Sequence, residues 1–132
     1  GLAERIRHTL TAEISLPAVG QGALGLECRS DDQEILDLIM PLMHAETNTC
    51  VRAERAFNAY LEGGCQVPIA GFAQLDNQIL TLEGRVGSPD GQVLLRSQVQ
   101  GAQVDAEQLG VQLAQNLLQQ GAGEILKALY QD

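Results

Sequence analysis

The spacing of apolar residues along this chain changes from helical to alternating and back, and each change marks an expected element. "GLAERIRHTLTAE", residues 1–13, puts Leu2, Ile6 and Leu10 on one face of a short helix that starts without a cap and reads as the end of something longer. In "ISLPAVGQGALGLECRS", Leu24, Leu26 and Cys28 alternate with smaller or polar residues, which predicts a short strand near 23–28 after a glycine-containing bend. A strand needs a partner, so this one is expected to pair with another chain or fold back on the rest of the molecule. "SDDQEILDLIMPLMH" predicts a helix capped by Ser30, Asp31 or Asp32, with Ile35, Ile39 and Leu42 on one face and Pro41 stopping or kinking it. "AETNTCVRAERAFNAYLEGG" predicts the next, with Thr47 or Asn48 as cap, Cys50, Ala53, Phe57 and Leu61 turned inward, and Gly63 at the left-handed C-terminal position.

From Val67 the period falls to about two, through "VPIAGFAQL", "ILTLEGRV" and "QVLLRSQV", separated by the turns "DNQ" and "GSPDG". This predicts a three-stranded antiparallel meander, with Pro68 confined to the start or edge of its strand. "DAEQLGVQLAQNLLQQG" restores the helical period, with Asp105 as cap, Leu109, Leu113 and Leu117 inward and Gly121 as stop; "AGEILKALYQ" adds a shorter helix. The fold class is α+β: a three-stranded antiparallel sheet with helices on one face, preceded by a strand and a helix of a neighbouring α/β domain.

Composition narrows the function classes. The chain has 132 residues, 45% hydrophobic and 3% aromatic, which gives one aliphatic, alanine-rich core. Eight basic against 17 acidic side chains leave a formal charge of -9, which repels phosphate backbones and argues against nucleic acid as a partner. No run reaches the roughly 18 to 20 apolar residues of a membrane span, so the protein is expected to be soluble, cytoplasmic and without a membrane partner. Cys28, Cys50 and Cys65 form neither a CxxC pair nor a dense disulfide framework, and His8 and His44 stand at no zinc-motif spacing; no metal is expected.

The candidate chemistry lies in "YLEGGCQVPI", residues 60–69. Reactive thiols usually sit at helix N-termini or beside cations, whereas Cys65 follows a helix C-terminus and stands near Glu62, a setting that favours the neutral thiol. A recycling nucleophile is therefore disfavoured. Gly63 and Gly64 leave room for a bulky group, and a thiol that reacts once to form a thioether needs no depressed pKa. On residue chemistry alone, a buried structural cysteine in a small α+β binding or regulatory module ranks ahead of attachment, and a thiol-dependent redox protein ranks last. "VGQGALG" lacks the spacing of a phosphate loop and reads as a flexible crossing. Arg52, Glu54 and Arg55 read as a solvated helix face, and His44 beside Glu46 as surface or cap chemistry.

"SLPAVGQGALGLECR" followed by "HAETNTCVRAERAFNAYLEGGCQVPI" resembles the C-terminal part of the porphobilinogen deaminase (hydroxymethylbilane synthase) family over essentially the entire chain. The resemblance implies a transferase of tetrapyrrole and haem biosynthesis that joins four porphobilinogens head to tail, losing ammonia each time, on a dipyrromethane primer. It assigns the covalent thioether to Cys65, reversing the residue-level ranking, with Gly63 and Gly64 as clearance around the primer. Gln21 and Gly22 match a segment facing the cofactor cleft, and Glu54 a helix position facing other domains. It also implies three portions: the end of a second domain (1–17), a return segment to the first (18–43), and a cofactor-attachment domain (44–132). The family's catalytic aspartate and carboxylate-binding arginines belong to the N-terminal domains, so no catalytic residue is expected here. The partners implied are porphobilinogen, pyrrole-chain intermediates and those domains, with self-association of the chain alone as a further expectation.

Overall fold

The computed structural model describes residues 1–64 and 67–129. Its ordered centre begins with α1 (Gln33–Ile39), where the Asp32 carboxylate accepts the Ile35 N–H at 3.3 Å. Pro41 tightens the end of this helix into a 3-10 turn, Met40–Leu42, as its missing N–H requires. Helix α2 (Ala45–Tyr60) is capped by His44, whose Nδ1 faces the Thr47 N–H at 3.4 Å and the Thr47 hydroxyl at 2.9 Å. The expected caps, Thr47 and Asn48, fall inside the first turn because the chain leaves its extended conformation at His44.

Strands β1 (Ile69–Asp76), β2 (Ile79–Gly87) and β3 (Leu94–Ala102) form an antiparallel sheet in the order β1-β2-β3. Asn77 and Gln78 both take positive φ, 48° and 69°, the geometry of a two-residue hairpin whose twist matches its strands. The second turn closes through the Gly91 N–H on Ser88 C=O at 2.9 Å, with Gly91 at φ 71°. Register places Ala73, Leu82 and Val99 side by side, and with Leu80 and Val86 they face the helices.

Helix α3 (Ala106–Gln119) lies beside α2 on this face and buries Leu109, Leu113 and Leu117. Asp105 precedes it without a side-chain capping bond, because a 3-10 turn, Gln103–Asp105, leads directly into the helix. Gly121, at φ 103°, turns the chain into α4 (Ala122–Ala128), which buries Leu126. Phe57 of α2 sits in the centre, fully buried, a contribution on the order of 2–3 kcal/mol. Its ring occupies the space left by the paired glycines 71 and 84; a Cβ there would lie 2.9 and 2.8 Å from it. Gly110 of α3 meets the α2 backbone directly, where a Cβ would run into the Ala53 carbonyl.

The segments ahead of α1 depart from their sequence pattern. The expected helix over 1–13 reduces to one 3-10 turn, Ala3–Arg5, with Leu2, Ile6 and Leu10 exposed. An uncapped segment of this length needs an apolar surface to pack on, and its stripe meets none. The expected strand near 23–28 does not form either: the segment is irregular and joins no sheet, with Leu24 98% exposed. It does not fold back into a ladder on β1, whose Ala73 N–H is taken instead by the Glu54 carboxylate. No helix among the described residues is long and apolar enough to cross a membrane.

Candidate functional site

Helix α2 carries both parts of the candidate site. Its buried stripe holds Ala53, Phe57 and Leu61, as the spacing predicts, with Cys50 half-buried at one end. Keeping Leu61 in the core fixes where the helix stops, so the next residue must reverse the chain. That residue is Glu62, at φ 54°, rather than the expected Gly63. Glu62 N–H reaches Ala59 C=O at 3.1 Å and Gly63 N–H reaches Asn58 C=O at 2.9 Å, the paired bonds of a Schellman termination.

Gly63 is needed for a different reason. The Asn58 side chain folds over it, its Nδ2 donating to Gly63 C=O at 3.1 Å, and a Cβ on Gly63 would collide with Asn58 Oδ1 and lie 3.1 Å from Ile69 Cδ1. The room expected at Gly63 is therefore filled by the protein itself. At Gly64 a Cβ would meet nothing within 4 Å among the described residues, so these leave an open approach to the loop. Cys65, on which the attachment expectation falls, and Gln66 lie outside the described residues. Beyond them Val67 N–H bonds to Gly64 C=O at 3.1 Å, and Pro68 stands just ahead of β1, as expected, its carbonyl accepting Gly87 N–H at 3.0 Å.

The second part is the bend at 18–23. Gly20 and Gly22 take φ of 70° and 85°, and Gln21 Oε1 folds back to accept Ala18 N–H at 2.9 Å. Glu54 secures the bend: only 5% exposed, its Oε2 accepts Gly20 N–H at 2.7 Å and its Oε1 accepts Ala73 N–H at 2.8 Å. The solvated-face reading of Glu54 does not hold, because its side chain is nearly buried. Its carboxylate accepts two backbone N–H groups, and its place four residues after Cys50 and three before Phe57 puts it on the inward arc. That spacing was the available signal. Arg52 pairs instead with Glu107 of α3 at 3.1 Å on the surface.

Gln21 and Gly22 border a cleft of about 360 Å³ with His44, Cys50 and Glu54, whereas Gly63 and Gly64 lie at the end of α2. Glu54 and Asn58, which hold the two parts, stand one turn apart, about 6 Å along the helix axis. Partial burial, then the charges of Glu54 and Glu46, push the Cys50 thiol above its ordinary value. It is a poor nucleophile at neutral pH.

Residues 48–119 match the family model of the porphobilinogen deaminase C-terminal domain, and residues 1–37 match that of the porphobilinogen deaminase dipyromethane cofactor binding domain. The chain belongs to the porphobilinogen deaminase family. Porphobilinogen deaminases are transferases of tetrapyrrole biosynthesis that act on porphobilinogen with a dipyrromethane cofactor. The observed α+β architecture, an antiparallel three-stranded sheet with its helices on one face, is that of the porphobilinogen deaminase C-terminal domain. The Gly63 and Gly64 loop falls within the range matched by that domain, and the Gln21 and Gly22 bend within the range matched by the cofactor-binding domain.

Proposed function

We propose that residues 44–132 form the cofactor-attachment domain of a porphobilinogen deaminase and that Cys65 is the covalent anchor, its sulfur bonded to a methylene carbon of dipyrromethane. The observation that carries this reading is the asymmetry of the loop just ahead of the cysteine. Gly63 is clamped by Asn58 and the helix end, while a Cβ on Gly64 would meet nothing among the described residues, so a fixed stem ends at a residue with open space around it. When bound, dipyrromethane supplies the pyrrole end on which the tetrapyrrole is assembled from four porphobilinogens. Gly64 gives it clearance, and Gln21 and Gly22 belong to the cleft that receives it. A thioether needs the sulfur to react once, so a loop at the negative end of a helix dipole is compatible with the role.

In this reading residues 1–17 and 18–43 belong with domains that carry the catalytic aspartate and the carboxylate-binding arginines. Leu24, Leu26, Leu38, Leu42 and Met43 are all exposed, which supports assigning them a surface against those domains. A chain of charge -9 repels intermediates rich in carboxylates, so the cationic cradle comes from elsewhere. Mixing this chain with the N-terminal domains of a porphobilinogen deaminase is expected to yield hydroxymethylbilane where the 132-residue chain alone yields none. Turnover by the chain alone contradicts the proposal.

A further inference from the structure

Residues 12–20 form a strap around the free edge of β1. On the helix-free face, Arg85 (9% exposed) donates from Nη2 to Ala12 C=O at 2.9 Å and from Nη1 to Glu13 C=O at 3.3 Å. Glu83 steadies it, accepting Arg85 Nε at 2.9 Å. The alternation of β2 sets this direction, since Leu82, Gly84 and Val86 point to the helices and Arg85 therefore points away. On the helix side, Val19 packs against Gly71, and Gly20 N–H ends on Glu54. Among the described residues no backbone ladder joins the strap to β1. Its seat consists of two nearly buried charged side chains of opposite sign, one at each end, and Gly71, against which the strap's own Val19 packs.

Glu54 occupies a special place in this arrangement because one carboxylate serves both bodies. Oε1 holds Ala73 on the strand and Oε2 holds Gly20 on the strap, so lifting the strap takes away one of the two partners of a nearly buried side chain. We propose that Glu54 and Arg85 are positioning residues, a two-ended latch that fixes the strap, and with it the Gln21 and Gly22 bend, on the domain bearing the Gly64 loop. The latch joins the segment matched by the cofactor-binding domain to the C-terminal domain. Its bearing on the reaction rests on the attachment reading of that loop, but its existence does not.

The test is amide hydrogen exchange, resolved by residue, on the 132-residue chain. In the unaltered protein both the Gly20 and Ala73 amides are expected to be protected. Glu54→Gln retains the shape but only one acceptor oxygen, and the ladder neighbours of Ala73 favour keeping that bond. Gly20 exchange is then expected to rise at least tenfold while Ala73 stays protected. Arg85→Gln is expected to speed cleavage after Glu13 by a glutamate-specific protease several-fold. An unprotected Gly20 amide in the unaltered protein, unchanged Gly20 protection in Glu54→Gln, or equal loosening of both amides overturns the latch. None of these readouts depends on Cys65, so the failure of one proposal is distinguishable from failure of the other.

Discussion

Gly63 and Gly64 are neighbours with opposite duties. Gly63 lacks a side chain because Asn58 and Ile69 fill the space around it, so its constraint is internal to the fold. Gly64 lacks one where, among the described residues, nothing within 4 Å would be disturbed. Gly63→Ala should therefore destabilise the chain by about 1–3 kcal/mol, the range for forcing a methyl group into a filled site, as measured by denaturant unfolding. Gly64→Ala should stay within about 0.5 kcal/mol of the parent, as exposed substitutions do. If Gly64 instead proves the more destabilising of the two, the division between stem and approach is wrong. The pair of glycines was legible in the sequence, but their division of labour was not. The helix stops at Leu61 because that side chain belongs to the core, and this register, which a local pattern does not contain, moves the left-handed turn to Glu62.

At the scale of elements, the helices and strands with an amphipathic pattern and a partner formed where the pattern placed them, as α2, the three strands and α3 do. Residues 1–13 and 23–28 carry patterns of equal local quality but meet no complementary surface, and they remain irregular. Glu54 reads from its charge as a solvated position, although its spacing to Cys50 and Phe57 puts it on the inward arc where it is found. Arg85 was not legible as buried, because burial on the helix-free face comes from a strap folding over it rather than from β2 itself. The same face holds Glu83 between Arg85 and Arg96. Burial pushes the Glu83 carboxyl up, but hydrogen bonds and charge from Arg96 and Arg85 outweigh it and hold the carboxyl below its ordinary value of 4.5. A carboxyl depressed on folding contributes stability that is complete above the unfolded value and is lost as pH falls through the folded one. Unfolding measured against pH should show this loss below about pH 4.5, and Glu83→Gln should flatten that limb. An unchanged acid limb in the variant would remove Glu83 from the account.

At the scale of the molecule, the fold separates a well-packed core from the irregular segments ahead of α1, and the two are joined chiefly at the edge of β1. The core presents the loop at the end of α2, and the strap delivers the glycine bend to a cleft one turn away along the same helix. Membership of the porphobilinogen deaminase family gives this arrangement its chemical setting, a transferase with a dipyrromethane cofactor. The central claim is that Cys65 holds that cofactor, and intact mass with peptide mapping tests it most directly. After incubation with porphobilinogen and the N-terminal domains of a porphobilinogen deaminase, the chain should gain the mass of two pyrrole units. The addition should map to the peptide containing Cys65 and vanish in Cys65→Ser. An adduct on the peptides of Cys28 or Cys50, or one that persists in Cys65→Ser, would contradict it.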